Sequence, residues 1–308
     1  GIVMLYSASS AIANYEFSSD TYFLSRHLAR TIIGISCMVG FMFYNYRNLK
    51  NNAIYLLGLS FILIIFTHLL TPSGQHARWL IKGGKNWLTT SDFARIALII
   101  FTAWYLEKSY KYMMDFKKGL LPILLILGLV LIGIATQPDF SNAATIGLIL
   151  LIMLYIGGAS LKHLLSTTFF IIPLALISLR SNPNQWTRIT SWLNKNESLL
   201  SSNWQSSQSI LGLGNGGLIG QGLGNSIIKQ PGLLPEVHTD FIFPVIAEEI
   251  GFIGTSTILF FFVWLFYRGI QIAKNAPDAF GMFLAFGIII NITIYVLINI
   301  GYVIGFLP

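Results

Sequence analysis

Cysteine is almost absent from this sequence, and its scarcity excludes two classes at once. The single Cys37, set within an apolar run, builds neither a disulfide framework nor a thiolate metal cluster. Charge is scarce as well: 10% of the residues are Asp, Glu, Lys or Arg, against 54% hydrophobic ones and a mean hydropathy of +0.68. Soluble domains carry about 25% charged residues, so this composition does not furnish a water-facing globular surface. The basic residues form no stripe. They sit dispersed at the ends of apolar runs, and the net charge of +7 therefore points to anionic lipid and away from nucleic acid. His27, His76 and His163 show no ligand spacing, so no cofactor is expected, and a divalent cation has no support in the sequence.

What the sequence does contain is apolar runs of membrane-crossing length. A bilayer core of about 30 Å takes about 20 helical residues, and about nine stretches approach that: 1–11, 29–45, 53–71, 93–106, 119–136, 143–158, 164–179, 241–267 and 280–307. The expected fold class is an all-α polytopic membrane protein with a long extracytoplasmic loop at 180–240. With no Met start and no signal-peptide pattern, the sequence reads as an excerpt truncated at both ends. Orientation follows from loop charge. The short loops 45–52, 107–119, 158–163 and 267–278 hold nine of the nineteen Lys and Arg and three of the twelve acids, which assigns them to the cytoplasm.

A loop as long as 180–240 is a place to look for function. In QWTRITSWLNK, Trp186, Ile189, Trp192 and Leu193 share one helical face, the pattern of a short helix lying in the membrane interface. The stretch LGLGNGGLIGQGLGNS, 211–226, holds seven glycines in sixteen residues. Gly212, Gly214 and Gly217 satisfy GxGxxG, but no strand-turn-helix unit surrounds them, so the dinucleotide reading is discarded. Two readings stay open: glycines that permit close backbone approach, and a hinge or spacer.

The acids are the informative residues. Within LLPEVHTDFIFPVIAEEIG, Asp240 stands at the mouth of a helix and Glu248 and Glu249 well inside it, where an ionised group is costly unless paired or wetted. Successive helical positions are about 100° apart, so the three carboxylates do not serve one site. Structural pairing is expected for Glu248 and Glu249, with Arg95, Asn291, Asn299 and His68 as candidate partners. Asp92 and Arg95 are spaced i, i+3 at a helix head, beyond a loop carrying Arg78, Lys82 and Lys85. Asp139 follows Pro138 at another helix head, where it complements the helix dipole or belongs to a site.

These residues carry a resemblance. SASS near the start, ARWL, QPDFSNA, NWQSSQSILGLGNGGLIGQGLGNS, LLPEVHTDFIFPVIAEEIGFIG and INIGYVIGFLP together resemble the SEDS family, the proteins of bacterial shape, elongation, division and sporulation. The resemblance covers 1–308 as one transmembrane domain, with 180–240 a loop inside it, and favours the division member over the elongation member. It implies ten transmembrane helices, the last lying beyond FLP. It also implies a peptidoglycan glycosyltransferase of the bacterial cytoplasmic membrane, polymerising lipid II from an undecaprenyl-pyrophosphate carrier on the outer face. Asp240 in HTDF is then the general base. Arg78, Asp92, Arg95, Arg188, Gln205, Gln208, Lys229, Glu236 and His238 are then substrate-binding, and Asp139, Glu248 and Glu249 a polar network. A class B penicillin-binding protein, other divisome proteins and membrane lipid are the implied partners. TTSD at 89–92 departs from the family's QPSE, and Pro244 replaces a small residue. The alternatives are a lipid II flippase, which broken helices and midplane charges would favour, an elongation-type polymerase, and a scaffold that recruits a partner enzyme.

Overall fold

A computed structural model describes residues 1–70, 79–82, 85–137, 139–180, 183–193, 204–230, 232–234, 237 and 239–307. In chain order the helices are α1 Ile2–Phe17, α2 Tyr22–Phe43, α3 Arg47–Leu70, α4 Thr90–Ser109, α5 Leu121–Ala135, α6 Phe140–Ile156 and α7 Leu161–Arg180. After them come α8 Pro183–Leu193, α9 Trp204–Asn215, α10 Ile242–Lys274 and α11 Ala279–Val303. Each of the nine apolar stretches overlaps one of these helices. Among the described residues, four segments, Arg47–Leu70, Phe116–Ala135, Ile242–Lys274 and Ala279–Val303, are long and apolar enough to cross a membrane, and Phe140–Ile156 is a shorter apolar helix. The protein is a multi-pass helical membrane protein. Neither the helix α9 nor a hairpin was foreseen: β1 Trp79–Lys82 pairs antiparallel with β2 Lys85–Thr89, with a register shift between Leu80 and Ile81. Gly83 and Gly84 stand between the strands in the sequence, a two-glycine hairpin signal that the surrounding apolar runs obscured.

The chain forms two compact units. One comprises 45–178 and 265–295. Its interior joins Leu98 and Leu106 of α4, Ile123 and Leu127 of α5, Ile146 and Leu150 of α6, and Phe280 and Phe283 of α11. Lipid tails are as apolar as these side chains, so close packing and small contact residues must do what water does for a soluble core. Accordingly Ala94, Ala97 and Ala103 are buried along α4. A Cβ added at Gly287 would lie 2.6 Å from the Ile99 side chain. The turn into α5 starts at Asp115, whose carboxylate accepts from the Lys117 and Lys118 amides at 2.9 and 3.3 Å, satisfying donors that a helix start leaves over. At the head of α11, burial opposes ionisation of Asp278. The Gly281 amide, the Tyr46 hydroxyl and the Arg47 guanidinium at 3.1 Å nonetheless hold its carboxyl below the usual range.

The other unit comprises 1–44, 179–264 and 296–308. Ala8, Ile228, Leu234, Val237, Phe241, Val245 and Val303 form its buried core. Here the sequence expectation of one continuous span at 241–267 needs correction. Gly251 takes φ 67°, ψ −170°, which breaks α10 nine residues past Ile242, about 13 Å along its axis at 1.5 Å per residue. A break in a membrane helix strands backbone groups where no water satisfies them. The glycine-rich stretch supplies the partners: Gln221 and Gly222 donate to the carbonyls of Glu248 and Glu249 at 2.8 and 3.0 Å. In return, Phe252 and Ile253 donate to those of Gly217 and Leu218 at 2.9 and 3.1 Å. Of the two readings left open for this stretch, close backbone approach is the one the structure adopts.

Glycine is required at the crossing. A Cβ on Gly216 would stand 2.0 Å from the Ala247 carbonyl oxygen, and one on Gly220, itself at φ +90°, 2.3 Å from that of Glu249. Gly220→Ala is therefore expected to destabilise the protein by about 1–3 kcal/mol, the usual cost of overpacking. The check is the thermal midpoint in detergent, with Gly214→Ala beside it, because a Cβ there meets nothing within 4 Å. Equal midpoints for the two variants would show that the crossing is looser than described.

Candidate functional site

Asp240 is exposed and directly precedes the buried Phe241 at the start of α10. Its main chain is fixed from the far end of α11. The Asn299 side-chain amide donates to the Asp240 carbonyl at 3.0 Å. One turn further on, the Tyr302 ring lies 5.3 Å from that of Phe241. The Tyr302 hydroxyl donates to Oε1 of Gln205 on α9 at 3.3 Å, and both Asp240 and the exposed Arg188 of α8 lie within its electrostatic reach. Gln208, one turn beyond Gln205, is half-buried. The indole of Trp192 donates to the Gly305 carbonyl at 3.1 Å, and that of Trp204 to the Leu233 carbonyl at 3.0 Å. Trp192 thus ties α8 to the segment just past α11.

Beside the helix break lies a buried ionic network. Lys229, expected among the cations available to substrate, is buried and pairs with Glu249 at 3.0 Å. Ser7 of the SASS stretch donates to both oxygens of Glu249 at 2.6 and 2.7 Å. Glu248 accepts from Ser226 Oγ at 2.5 Å, from the amides of Ile227 and Ile228 at 3.0 and 3.3 Å, and from Asn215 at 3.3 Å. The partners therefore come from the end of α9, the loop before α10 and α1, in place of Arg95, Asn291, Asn299 or His68. Each carboxylate is met by several donors, which offsets much of its burial cost. Together they tether both ends of residues 226–229, which lead into the segment carrying Asp240.

The unit of 45–178 and 265–295 holds a second polar cluster. Arg95 pairs with Asp92 at 3.1 Å and lies 4.3 Å from the centre of the Tyr295 ring. Asp139 accepts from Ser91 at 3.0 Å and from Asn142 at 3.3 Å, with no cap bond into the first turn of α6. The Tyr295 hydroxyl donates to Asn142 Oδ1. Sequence reasoning joined Asp92 to Arg95 by spacing; Ser91, Asn142 and Tyr295 were not singled out. Arg78, Glu236 and His238 lie outside the described residues. At Asp240 the residues missed are Tyr302 and, in its actual role, Asn299. The available signal was polar side chains at the tail of an otherwise apolar helix.

The profile of the FtsW/RodA/SpoVE family, described as cell cycle proteins, matches residues 1–308. The chain is 37% identical over 311 residues to the probable peptidoglycan glycosyltransferase FtsW of Geobacter metallireducens, covering 100% of this chain and 82% of that protein. It is 36% identical over 315 residues to stage V sporulation protein E of Bacillus subtilis, covering 100% and 84%. Its fold is similar to that of Thermus thermophilus RodA, with TM-score 0.66 and 20% identity over 100% of this chain and 84% of that one. The likeness extends to a structure described as showing structural coordination of polymerization and crosslinking by a peptidoglycan synthase complex. There the TM-score is 0.76 and the identity 21%, over 100% of this chain and 86% of that one.

Proposed function

The chain belongs to the FtsW/RodA/SpoVE family of cell cycle proteins, and on that premise we propose that it is a peptidoglycan glycosyltransferase of bacterial cell division. Its relative in Geobacter metallireducens bears that enzyme's name. The substrate is lipid II, polymerised at the outer face of the cytoplasmic membrane. The acceptor sugar's 4-hydroxyl attacks the anomeric carbon of the donor glycan. Its proton passes to the Asp240 carboxylate, and the electron pair of the broken bond leaves with undecaprenyl pyrophosphate. The observation that carries this reading is an exposed carboxylate on a main chain held by Asn299 and Phe241. Positive charge must meet the departing pyrophosphate, and Arg188 is an exposed cation of the same unit that, like Asp240, lies within electrostatic reach of Tyr302. No cofactor is proposed. The partner is a transpeptidase of the class B penicillin-binding type, supported by the fold shared with a peptidoglycan synthase complex.

The test is purified protein with its transpeptidase and lipid II, scored for long glycan chains on a gel. Arg188→Ala is expected to slow chain formation about tenfold or more, in line with losing a charge-assisted contact to the leaving group; an unchanged rate removes Arg188 from the site. One observation favours a second reading, a flippase for the same lipid: α10 is broken beside buried charges, as transporter helices are. Passage of a labelled lipid precursor across proteoliposomes, with no polymer formed, would promote it.

A further inference from the structure

Asn299 and Tyr302 are polar groups one turn apart on the last turns of α11. Nothing in the reaction just described uses them. Both nevertheless engage the same peptide, the one joining Asp240 to Phe241. Asn299 takes the carbonyl of that peptide at 3.0 Å. Tyr302 takes the side chain that follows it, ring against ring at 5.3 Å, while its hydroxyl is anchored on Gln205 at 3.3 Å. Val303 lies with Phe241 in the buried core, so the α11 backbone is not free to drift away from this contact. A peptide plane held at its carbonyl and at the next side chain has little freedom to rotate, and the Cα of Asp240, which lies in that plane and carries the side chain, is placed with it.

We infer that Asn299 and Tyr302 are positioning residues which aim the Asp240 carboxylate at the acceptor hydroxyl, making the end of α11 part of the catalytic apparatus. This rests on the reading of Asp240 as the base. Neither residue touches the sugar in this account; each acts through the main chain of its neighbour. Misplacing a catalytic group by about 1 Å costs about a hundredfold in rate, and that cost falls on turnover more than on lipid binding.

The experiment measures turnover and apparent KM with lipid II for four variants in complex with the transpeptidase. Asn299→Leu keeps the volume and removes the donor. It is expected to lower kcat about 10- to 100-fold with KM changed less than about twofold. Asn299→His restores a ring N–H near the lost amide and is expected to recover most of that rate, which a merely space-filling role would not require. Tyr302→Leu removes the ring clamp and carries the same expectation, so the claim stays testable if Asn299→Leu fails to fold. Asp240→Asn runs alongside. If it is inactive while Asn299→Leu and Tyr302→Leu turn over normally, the inference is wrong and the reading of Asp240 stands. If Asp240→Asn is itself active, both fall. A rise in KM at unchanged kcat would move these residues to lipid binding and overturn the positioning role.

Discussion

Asp240→Asn is expected to lower glycan polymerisation by about 10²- to 10⁴-fold, the range for losing a general base, while the protein inserts and folds normally. The substitution preserves the shape of the side chain and removes its capacity to take a proton. It leaves the main-chain bond from Asn299 untouched, because that bond uses the Asp240 carbonyl. Because the side chain is exposed, no core packing is disturbed, and the thermal midpoint should move by less than about a degree or two for a surface exchange. Lipid II should still bind, since the change removes a proton acceptor and not a hydrophobic contact. The measurement is chain formation on a gel with the purified complex, alongside the midpoint. Near-normal polymer from a well-folded Asp240→Asn protein would refute the assignment.

Lys229→Met is expected to be the most destabilising of the exchanges considered. Lys229 neutralises Glu249 at 3.0 Å where the carboxylate is fully buried. Removing the ammonium leaves the carboxylate with Ser7 alone as a donor among the contacts described above. Breaking a buried pair on one side costs about 3–5 kcal/mol, whereas replacing both members with apolar residues of similar volume is often close to neutral. The pair Lys229→Met with Glu249→Leu should accordingly recover much of the loss. The check is a double-mutant cycle on the thermal midpoint and on the yield of monodisperse protein. Strictly additive effects would mean that the two groups do not depend on one another, contrary to their geometry.

The spans were legible because continuous apolar runs leave a lipid-facing helix as the only element able to satisfy its own backbone. The same blandness hid Gly251. In EEIGFIG it reads as one more small residue in an apolar helix, and what makes it a break is a loop arriving from thirty residues earlier, which no periodicity encodes. The partners of Glu248 and Glu249 were hidden for the same reason. Helical projection from the acids pointed to other spans, but their donors sit on Ser7 and on 215–229, brought in by a turn of glycines. Asp240 stood out because a carboxylate at a helix mouth is conspicuous in so uncharged a chain. Asn299 drew notice only as a candidate partner for the glutamates, because a neutral amide gives no sign of its link to Asp240 until the carbonyl it meets is seen.

The stitched break in α10 changes what residues 216–222 are. By length and composition they resemble a tether, the sort of segment that tolerates trimming or an inserted tag. Yet four main-chain hydrogen bonds run from them to α10, and in hydrocarbon each unanswered peptide group costs several kcal/mol. The stretch therefore has the sequence freedom of interior packing rather than of surface connection, and its four glycines are part of how a discontinuous helix can exist in lipid at all.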